Sequence, residues 1–230
     1  MDETVGSIAD RVEKKCFTQH VVVNVAKIVS MRKDTVLNAS VCGCDIINID
    51  GMGVVLGARF LGCNVPERVA GIDLFHNLLQ MSSVRGYPVF LLGAKEAVIT
   101  EAHRRIMGTY PDLIIAGQHH GYFWDDELAI VKMIRKSGAR LLFVAITSPK
   151  KEKFINRWKD QLGVDFVMGV GGTFDVVAGK VKRAPLWMQK YGLEWLYRII
   201  QEPGRMWKRY LVTNSRFAWL LIKAKCGFEV

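Results

Sequence analysis

Six short runs of apolar and β-branched residues recur along this chain, and segments with helical spacing lie between most of them. The runs span residues 20–24, 45–49, 88–92, 113–116, 141–146 and 166–170. In the intervening segments apolar residues recur at helical intervals, as at Leu74, Leu78 and Leu79. Buried strands that alternate with helices are typical of a mainly parallel sheet with helices on both faces. The sequence therefore predicts an α/β, Rossmann-like fold.

Positive charge is concentrated near the end of the chain. The 230 residues carry a formal net charge of +10, and half of them are hydrophobic, which is enough for a sizeable core. Ten lysines and arginines but only two acids lie between Lys182 and Lys225, together with four of the six tryptophans. This asymmetry predicts an α/β domain over residues 1–181 and a basic, tryptophan-rich helical appendage over 182–230. It also indicates an anionic partner: a membrane, a nucleic acid or a phosphate group.

The appendage is predicted to form two helices. Apolar residues recur at helical spacing over 193–200, and Pro203 ends this helix and begins the next one. In the second helix a broad apolar side lies opposite a cationic stripe formed by Arg205, Arg209, Arg216 and Lys223. This pattern fits two structures, an ordinary surface helix packed on the core and an amphipathic helix that lies on an anionic membrane.

The sequence favours a protein that lies on a membrane surface over one that crosses it. Residues 1–15 are charged and lack the apolar centre of a signal peptide, and no run approaches the ~20 apolar residues of a spanning helix. The five cysteines form no CxxC pair, which is typical of reduced cytosolic thiols. We therefore expect a peripheral protein on the cytoplasmic side.

A glycine turn follows the last predicted strand. The run 166–170 continues into Gly171 and Gly172, and Asp175 lies three residues further on. Glycines at a strand end let backbone N–H groups approach a phosphate closely, which is how many α/β proteins hold phosphorylated ligands. The turn is therefore a candidate phosphate site.

Asp50 ends the second predicted strand and precedes Gly51 and Gly53. A carboxylate at the carboxyl end of a strand points into the region where α/β proteins bind ligands, and it can act as a general base. An aspartate before glycine can equally cap the helix that follows. The residues alone leave both interpretations open.

The same glycines imitate a dinucleotide-binding fingerprint. Gly51 and Gly53 are followed by Gly57, which lies one position later than the GxGxxG motif requires. A nicotinamide-dependent oxidoreductase is therefore an alternative function, but the spacing of the glycines does not match the motif that it requires. A nucleic-acid binder that uses the basic appendage is a second alternative, although the tryptophan-rich face suits lipid better.

Two further polar segments have competing interpretations. The acidic cluster at 125–127 could hold a divalent ion, but it precedes an apolar-periodic segment and is predicted to cap a helix. The pair His119 and His120 has no evident third ligand nearby, so we predict no metal site. The turn at 147–152, which includes Lys150 and Glu152, could bind a phosphate or a sugar ring, or could simply begin a capped helix.

Taken in order, several stretches resemble the bacterial WecG/TagA/CpsF glycosyltransferases, which act on teichoic-acid linkage units, enterobacterial common antigen and exopolysaccharides. The similarity extends over residues 20–211. It is carried by IDGMGVVLGARFLG, VPERVAGIDLF, PVFLLGAKE, GYF, SPKKEK and GVGGTFDVVAGKVKRAPLWMQKYGLEWLYRIIQEPGRMWKRYL. The last stretch is the most specific of them.

The resemblance implies transfer of a sugar, such as N-acetylmannosamine or glucuronic acid, from a UDP-sugar donor to a polyprenyl-diphosphate-linked acceptor. It implies inversion at the anomeric carbon, no required metal or other cofactor, and a role in cell-surface polysaccharide synthesis. The implied partners are the two substrates and an anionic membrane, at the cytoplasmic face of the bacterial inner membrane, and no nucleic acid. A homo-oligomer is left open.

The resemblance also assigns roles to residues. Asp50 matches the proposed catalytic base, Asn24 the asparagine of a Thr-x-Asn motif at the first strand, and Asp175 the acid after the glycine turn. The remaining predicted substrate-binding residues are Gly171, Gly172, Lys150, Glu152 and the appendage arginines Arg198, Arg205 and Arg209.

The chain departs from the family pattern at two positions. Val22 stands where threonine is usual, and this removes a hydroxyl from the implied sugar-nucleotide site. Lys151 stands where glutamine is usual, and this adds a cation that would suit a uronic acid.

Overall fold

The computed structural model describes residues 1–65 and 67–228, and for Arg205 it describes the backbone only. The strands are β1 (Thr18–Val23), β2 (Ile46–Ile49), β3 (Val89–Gly93), β4 (Ile115–His119), β5 (Leu141–Ala145) and β6 (Phe166–Gly169). The helices are α1 (Asp2–Glu13), α2 (Val25–Met31), α3 (Thr35–Cys42), α4 (Met52–Phe60), α5 (Gly71–Arg85), α6 (Glu96–Thr109), α7 (Glu127–Ser137), α8 (Lys150–Trp158), α9 (Thr173–Val177), α10 (Leu186–Lys190), α11 (Glu194–Gln201) and α12 (Pro203–Lys225).

The strands form one parallel sheet in the order β2-β1-β6-β5-β3-β4. Every residue of β3 and β5 is buried, which is why these strands read as unbroken apolar runs in the sequence. The edge strands β2 and β4 are only partly buried. The predicted α/β fold is confirmed, and each predicted strand is present with its ends displaced by at most three residues.

The core lies between the sheet and its helices. One buried cluster joins Phe90 and Val144 of the central strands to Ile130 and Ile134 of α7 and to Phe154 of α8. Helix α7 carries clear end signals, because the Asp126 side chain accepts a hydrogen bond from the Ala129 amide at 3.0 Å and Gly138 ends the helix in the left-handed conformation. The predicted cap at 125–127 is thus confirmed.

The chain divides into two compact units that are discontinuous in sequence. The first contains residues 1–21, 39–47 and 71–181, and the second contains 22–38, 48–70 and 182–230. The second unit therefore combines the basic appendage with the segments that carry Asn24 and Asp50. The predicted division at residue 181 coincides with one of the boundaries between these units.

The described part of the appendage forms three helices, where two were predicted. The additional helix is α10, which ends in a turn at Gly192 with φ of 71°. A positive φ is easy only for glycine, so this residue separates α10 from α11. Pro203 occupies the first turn of α12, as expected. No helix in the described ranges is long and apolar enough to cross a membrane.

Candidate active site

Asp50 follows directly after β2 and lies in a loop that backbone hydrogen bonds hold on both sides. Its amide donates to the Val23 carbonyl at 2.9 Å, and the Val69 amide donates to the Ile49 carbonyl at 3.0 Å. The N-cap of α4 is Gly51, with φ of 133°, and α4 has no side-chain cap hydrogen bond. The capping interpretation of Asp50 is therefore wrong. The Asp50 side chain is about a third exposed.

Asn24 lies next to this loop, as its predicted role requires. It follows β1, and its side-chain oxygen caps α2 by accepting a hydrogen bond from the Lys27 amide at 3.0 Å. A Cβ atom placed on Gly51 would lie 3.7 Å from the Cβ atom of Asn24. The two loops are therefore neighbours, and the cap bond fixes the orientation of the Asn24 side chain.

Arg68 is the residue that the sequence reasoning missed. Its Nε lies 3.6 Å from Asp50 Oδ1, its Nη2 donates to Glu194 Oε1 at 3.1 Å, and its Nη1 donates to the Gln189 carbonyl at 3.3 Å. The side chain is only 15 % exposed. One guanidinium thus joins the Asp50 loop to the ends of α10 and α11. Arg68 stands within the VPERVAGIDLF stretch, but its loop has no periodic pattern that could have indicated these contacts.

The appendage also holds α4, the helix that begins two residues after Asp50. A Cβ atom on Gly192 would lie 2.6 Å from the Cβ of Met52, so the turn after α10 touches the first residue of α4. A Cβ atom on Gly57 would lie 2.8 Å from the ring of Phe217 in α12. At the end of α4, Lys225 Nζ donates to the Phe60 carbonyl at 3.2 Å. Appendage residues therefore contact α4 at its start, middle and end.

The apolar side of α12 divides into two faces. Met206 and Phe217 are buried, and the helix packs on α2 and α4. The other face is more than half exposed and consists of Trp207, Leu211, Trp219 and Ile222. The helix thus packs on the protein, as the first interpretation predicts, and it still presents an exposed apolar surface, so membrane binding stays a prediction.

The structure describes the side chains of two of the three predicted appendage arginines. Arg198 of α11 and Arg209 of α12 are exposed, and within the described residues neither side chain forms an ion pair. The side chain of Arg205 lies outside the described part of the chain. Arg198 and Arg209 are therefore able to meet an external anion, and their substrate-binding roles stay predictions.

The glycine turn lies in the first unit. Gly171 has φ of 57°, Gly172 is the N-cap of the five-residue α9, and Thr173 Oγ1 donates to the Val170 carbonyl at 2.8 Å. Asp175 pairs with Lys180, whose Nζ lies 3.3 Å from Asp175 Oδ1. The turn has the open backbone that the sequence predicts, and the substrate-binding roles of Gly171, Gly172 and Asp175 stay predictions.

The first turn of α8 contains a buried ion pair. Lys151 Nζ lies 3.1 Å from Glu152 Oε1, and both side chains are less than a tenth exposed. Gly169 makes room for this lysine, because a Cβ atom there would lie 2.6 Å from Lys151 Cε. Lys150 is exposed, with its Nζ 4.9 Å from the Trp124 ring centroid. The cation added at Lys151 is therefore matched by a carboxylate.

The acidic cluster is occupied by structural contacts. Besides the Asp126 cap, Glu127 accepts hydrogen bonds from Arg157 at 3.0 Å and from the Trp158 indole at 2.6 Å. His119 Nδ1 lies 2.9 Å from the His120 carbonyl. Among the described residues no group of three or more His, Cys, Asp or Glu side chains is arranged to hold a metal ion.

Comparison with known proteins decides the family. The model of the glycosyl transferase WecG/TagA/CpsF family matches residues 1–229, which is nearly the whole chain. The chain belongs to this family. The resemblance based on the quoted stretches is thus confirmed, and the protein is a glycosyltransferase. Membership in a transferase family also decides against the nicotinamide-dependent oxidoreductase.

Two curated relatives of this glycosyltransferase are each described as an N-acetylglucosaminyldiphosphoundecaprenol N-acetyl-beta-D-mannosaminyltransferase. The protein from Bacillus subtilis (strain 168) is 39% identical over 174 residues, which cover 76% of this chain and 67% of the relative. The protein from Bacillus spizizenii is 36% identical over 173 residues, which cover 75% of this chain and 66% of the relative. The matched region therefore spans about two thirds of these relatives.

Proposed function

We propose that this glycosyltransferase transfers N-acetylmannosamine or a closely related sugar from a UDP-sugar to a polyprenyl-diphosphate-linked sugar during synthesis of a cell-surface polymer. The names of the two relatives support this donor sugar and a lipid-diphosphate acceptor. The pairing of Lys151 with Glu152 removes the reason to favour a uronic acid, because the lysine adds no unmatched charge there. The observation that carries the proposal is Asp50, a carboxylate at a strand end that leaves the helix cap to Gly51.

The proposed chemistry is a single displacement. The acceptor hydroxyl oxygen forms a bond to the anomeric carbon, the bond from that carbon to the UDP oxygen breaks, and Asp50 takes the hydroxyl proton. The configuration at the anomeric carbon inverts, and the electron pair leaves with UDP. A positioned general base of this kind typically contributes ~10²–10⁴-fold to the rate.

The leaving diphosphate gains negative charge during this step, and positive groups must balance it. Arg198, Arg205 and Arg209 are candidates because guanidinium groups bind phosphates through two parallel hydrogen bonds. The Gly171 and Gly172 amides are separate candidates for phosphate binding. Lys150 and Glu152, at the start of α8, are candidates for contacts with the sugar. Asn24, next to the Asp50 loop, is the candidate for contacts near the reacting centre.

We further propose that α12 rests on the anionic cytoplasmic face of the membrane, where a polyprenyl-linked acceptor resides. Trp207, Leu211, Trp219 and Ile222 form an exposed apolar face, and the cations of α12 border it. An amphipathic helix with tryptophan on one side and basic residues on the other binds at the lipid interface. This arrangement would bring a water-soluble domain to a lipid-linked substrate.

A donor screen tests the proposed function. The full chain is incubated with a short-chain polyprenyl-diphosphate N-acetylglucosamine and, separately, with UDP-N-acetylmannosamine, UDP-N-acetylglucosamine and UDP-glucuronic acid. Mass spectrometry should detect a disaccharide product and released UDP with UDP-N-acetylmannosamine. A product with UDP-glucuronic acid alone would refute the donor assignment, and no product with any of these donors would refute the proposed reaction.

A further inference from the structure

We infer that Glu194 is a positioning residue for Asp50 and that it acts through Arg68. The inference rests on the proposed role of Asp50 as the base. It adds that the appendage sets the strength of this base, because Glu194 begins α11 and Gln189 lies in α10. Glu194 is not proposed to touch substrate.

The contacts of Arg68 are asymmetric. Its Nη2 makes a charge-assisted hydrogen bond of 3.1 Å to Glu194, and its Nη1 donates to the Gln189 carbonyl. Its Nε lies 3.6 Å from Asp50, beyond hydrogen-bond length, and makes no hydrogen bond within the described chain. The Arg68 guanidinium thus forms hydrogen bonds to two appendage residues, whereas its Nε lies near Asp50 without a hydrogen bond to it.

This asymmetry matters for proton transfer. A cation near a carboxylate stabilises the charged form, and direct hydrogen bonds stabilise it further, so a tightly paired aspartate is a weak base. An arginine facing a single carboxylate normally forms a two-pronged pair with it. Glu194 prevents this by competing for the same guanidinium. At 3.6 Å, Arg68 therefore stabilises the ionised form of Asp50 less than a two-pronged pair would.

The appendage is fixed closely enough to serve this purpose. Arg68 is 15 % exposed and Glu194 is 25 % exposed, so the pair is partly shielded from the screening that weakens surface ion pairs. The turn at Gly192, between Gln189 and Glu194, contacts Met52 at the start of α4. The same short segment thus touches the Asp50 loop both through Arg68 and through α4.

The test is the pH dependence of turnover in Glu194→Gln, measured in the full chain with a short, water-soluble acceptor. Loss of the Glu194 charge lets Arg68 pair with Asp50. We expect the acidic limb of the kcat profile to move down by about one pH unit and the plateau to fall ~3-fold to ~10-fold, since base strength and rate change together. A purely structural role would lower the plateau and leave the limb in place, which would overturn the inference.

Glu202→Gln is the matched control. It removes the same charge from the same appendage, so any change in net charge or membrane affinity is equal in the two variants. The acidic limb of the kcat profile of Glu202→Gln should lie at the same pH as that of the wild type. A shift equal to that of Glu194→Gln would overturn the inference.

Arg68→Lys completes a double-mutant cycle. A single ammonium group cannot reproduce the fork that reaches both carboxylates. We therefore expect Glu194→Gln to have little further effect on kcat in the Arg68→Lys background, and fully additive effects would contradict the inference. A wild-type protein without transferase activity would instead refute the proposed function, so the two failures are distinguishable.

Discussion

Gly57 of α4 lies directly beneath the ring of Phe217 in α12, so close that a Cβ atom at Gly57 would stand 2.8 Å from the ring. Leu221, one turn further along α12, would be 3.1 Å from the same atom. Phe217 is buried, and nothing larger than hydrogen fits beneath it without movement. This contact packs α12 of the basic appendage against α4, the helix that follows Asp50.

The first prediction is that Gly57→Val loosens α12. Two branched methyl groups would push Phe217 away, and overpacking of this kind typically costs about 1–3 kcal/mol. We expect faster hydrogen exchange in α12 and reduced transferase activity, both measurable on the purified chain. Gly108→Val in α6 is the control, because a Cβ atom at Gly108 has no neighbour within 4 Å. Equal effects from the two substitutions would show that helix propensity, not packing, is responsible.

The second prediction is that Asp50→Asn abolishes transfer and leaves folding and UDP affinity almost unchanged. Asparagine keeps the shape of the side chain but cannot accept the acceptor proton as a carboxylate does. We expect kcat to fall ~10²–10⁴-fold. Steady-state kinetics and UDP titration measure the two quantities, and Asp160→Asn, at an exposed position, controls for a general charge effect. Wild-type turnover in Asp50→Asn would remove this residue from the mechanism.

The fold could be predicted because its central strands are buried on both faces. Residues 141–145 are all buried, so the run LLFVA has no alternation and is recognisable as a core strand. The run predicted for the edge strand β4 begins two residues and ends three residues before the strand itself, because a partly buried strand has a weaker pattern. The periodicity of the sequence shows that α12 has a broad apolar side. It could not show which residues of that side pack against other helices and which stay exposed.

The candidate site could be predicted only where a residue stands at the end of a strand. Asp50 follows β2, and the general rule for parallel sheets is sufficient to select it. Asn24 follows β1, but it was selected by the family resemblance. Arg68 lies in an irregular loop, and its partner Glu194 is 126 residues away in sequence. Nothing in local spacing encodes a contact of that separation.

The third prediction is that chelation does not inhibit transfer. The acidic cluster is used structurally, since Asp126 caps α7 and Glu127 binds Arg157 and Trp158. We propose that cations and backbone amides balance the leaving diphosphate. Initial rates should therefore be equal with and without EDTA. Activity that disappears in EDTA and returns with Mg²⁺ or Mn²⁺ would contradict this proposal.

The fourth prediction concerns acid stability. Hydrogen bonds from Arg104 and then Arg105 lower the pKa of Glu101 from 4.5 to about 2. A carboxyl whose pKa falls on folding stabilises the protein above its unfolded-state pKa, and this contribution is lost as the pH falls toward the folded-state value. The melting temperature of the wild type should exceed that of Glu101→Gln slightly at neutral pH, because the pair is exposed. The gap should close between pH 4.5 and about 2, and a gap independent of pH would refute the assignment.

The fifth prediction separates membrane attachment from folding. Replacing the exposed Trp207, Leu211, Trp219 and Ile222 by serine should leave the protein folded, because the buried face of α12 with Met206 and Phe217 is untouched. The variant should no longer float with liposomes that contain anionic lipid, since it lacks the apolar surface that would enter the interface. Circular dichroism and flotation measure the two properties.

The electrostatic part of the attachment is tested by charge reversal of Arg209, Arg216 and Lys223. Each cation near an anionic leaflet contributes ~1 kcal/mol, so the loss of three should weaken vesicle binding by at least ~100-fold, and high salt should release the wild type. Reversal of Lys14, Lys132 and Lys136, which are exposed residues of the first unit, changes the net charge equally and should leave binding nearly intact. If both triple variants bind equally, net charge alone attracts the protein and α12 is not the surface that meets the membrane.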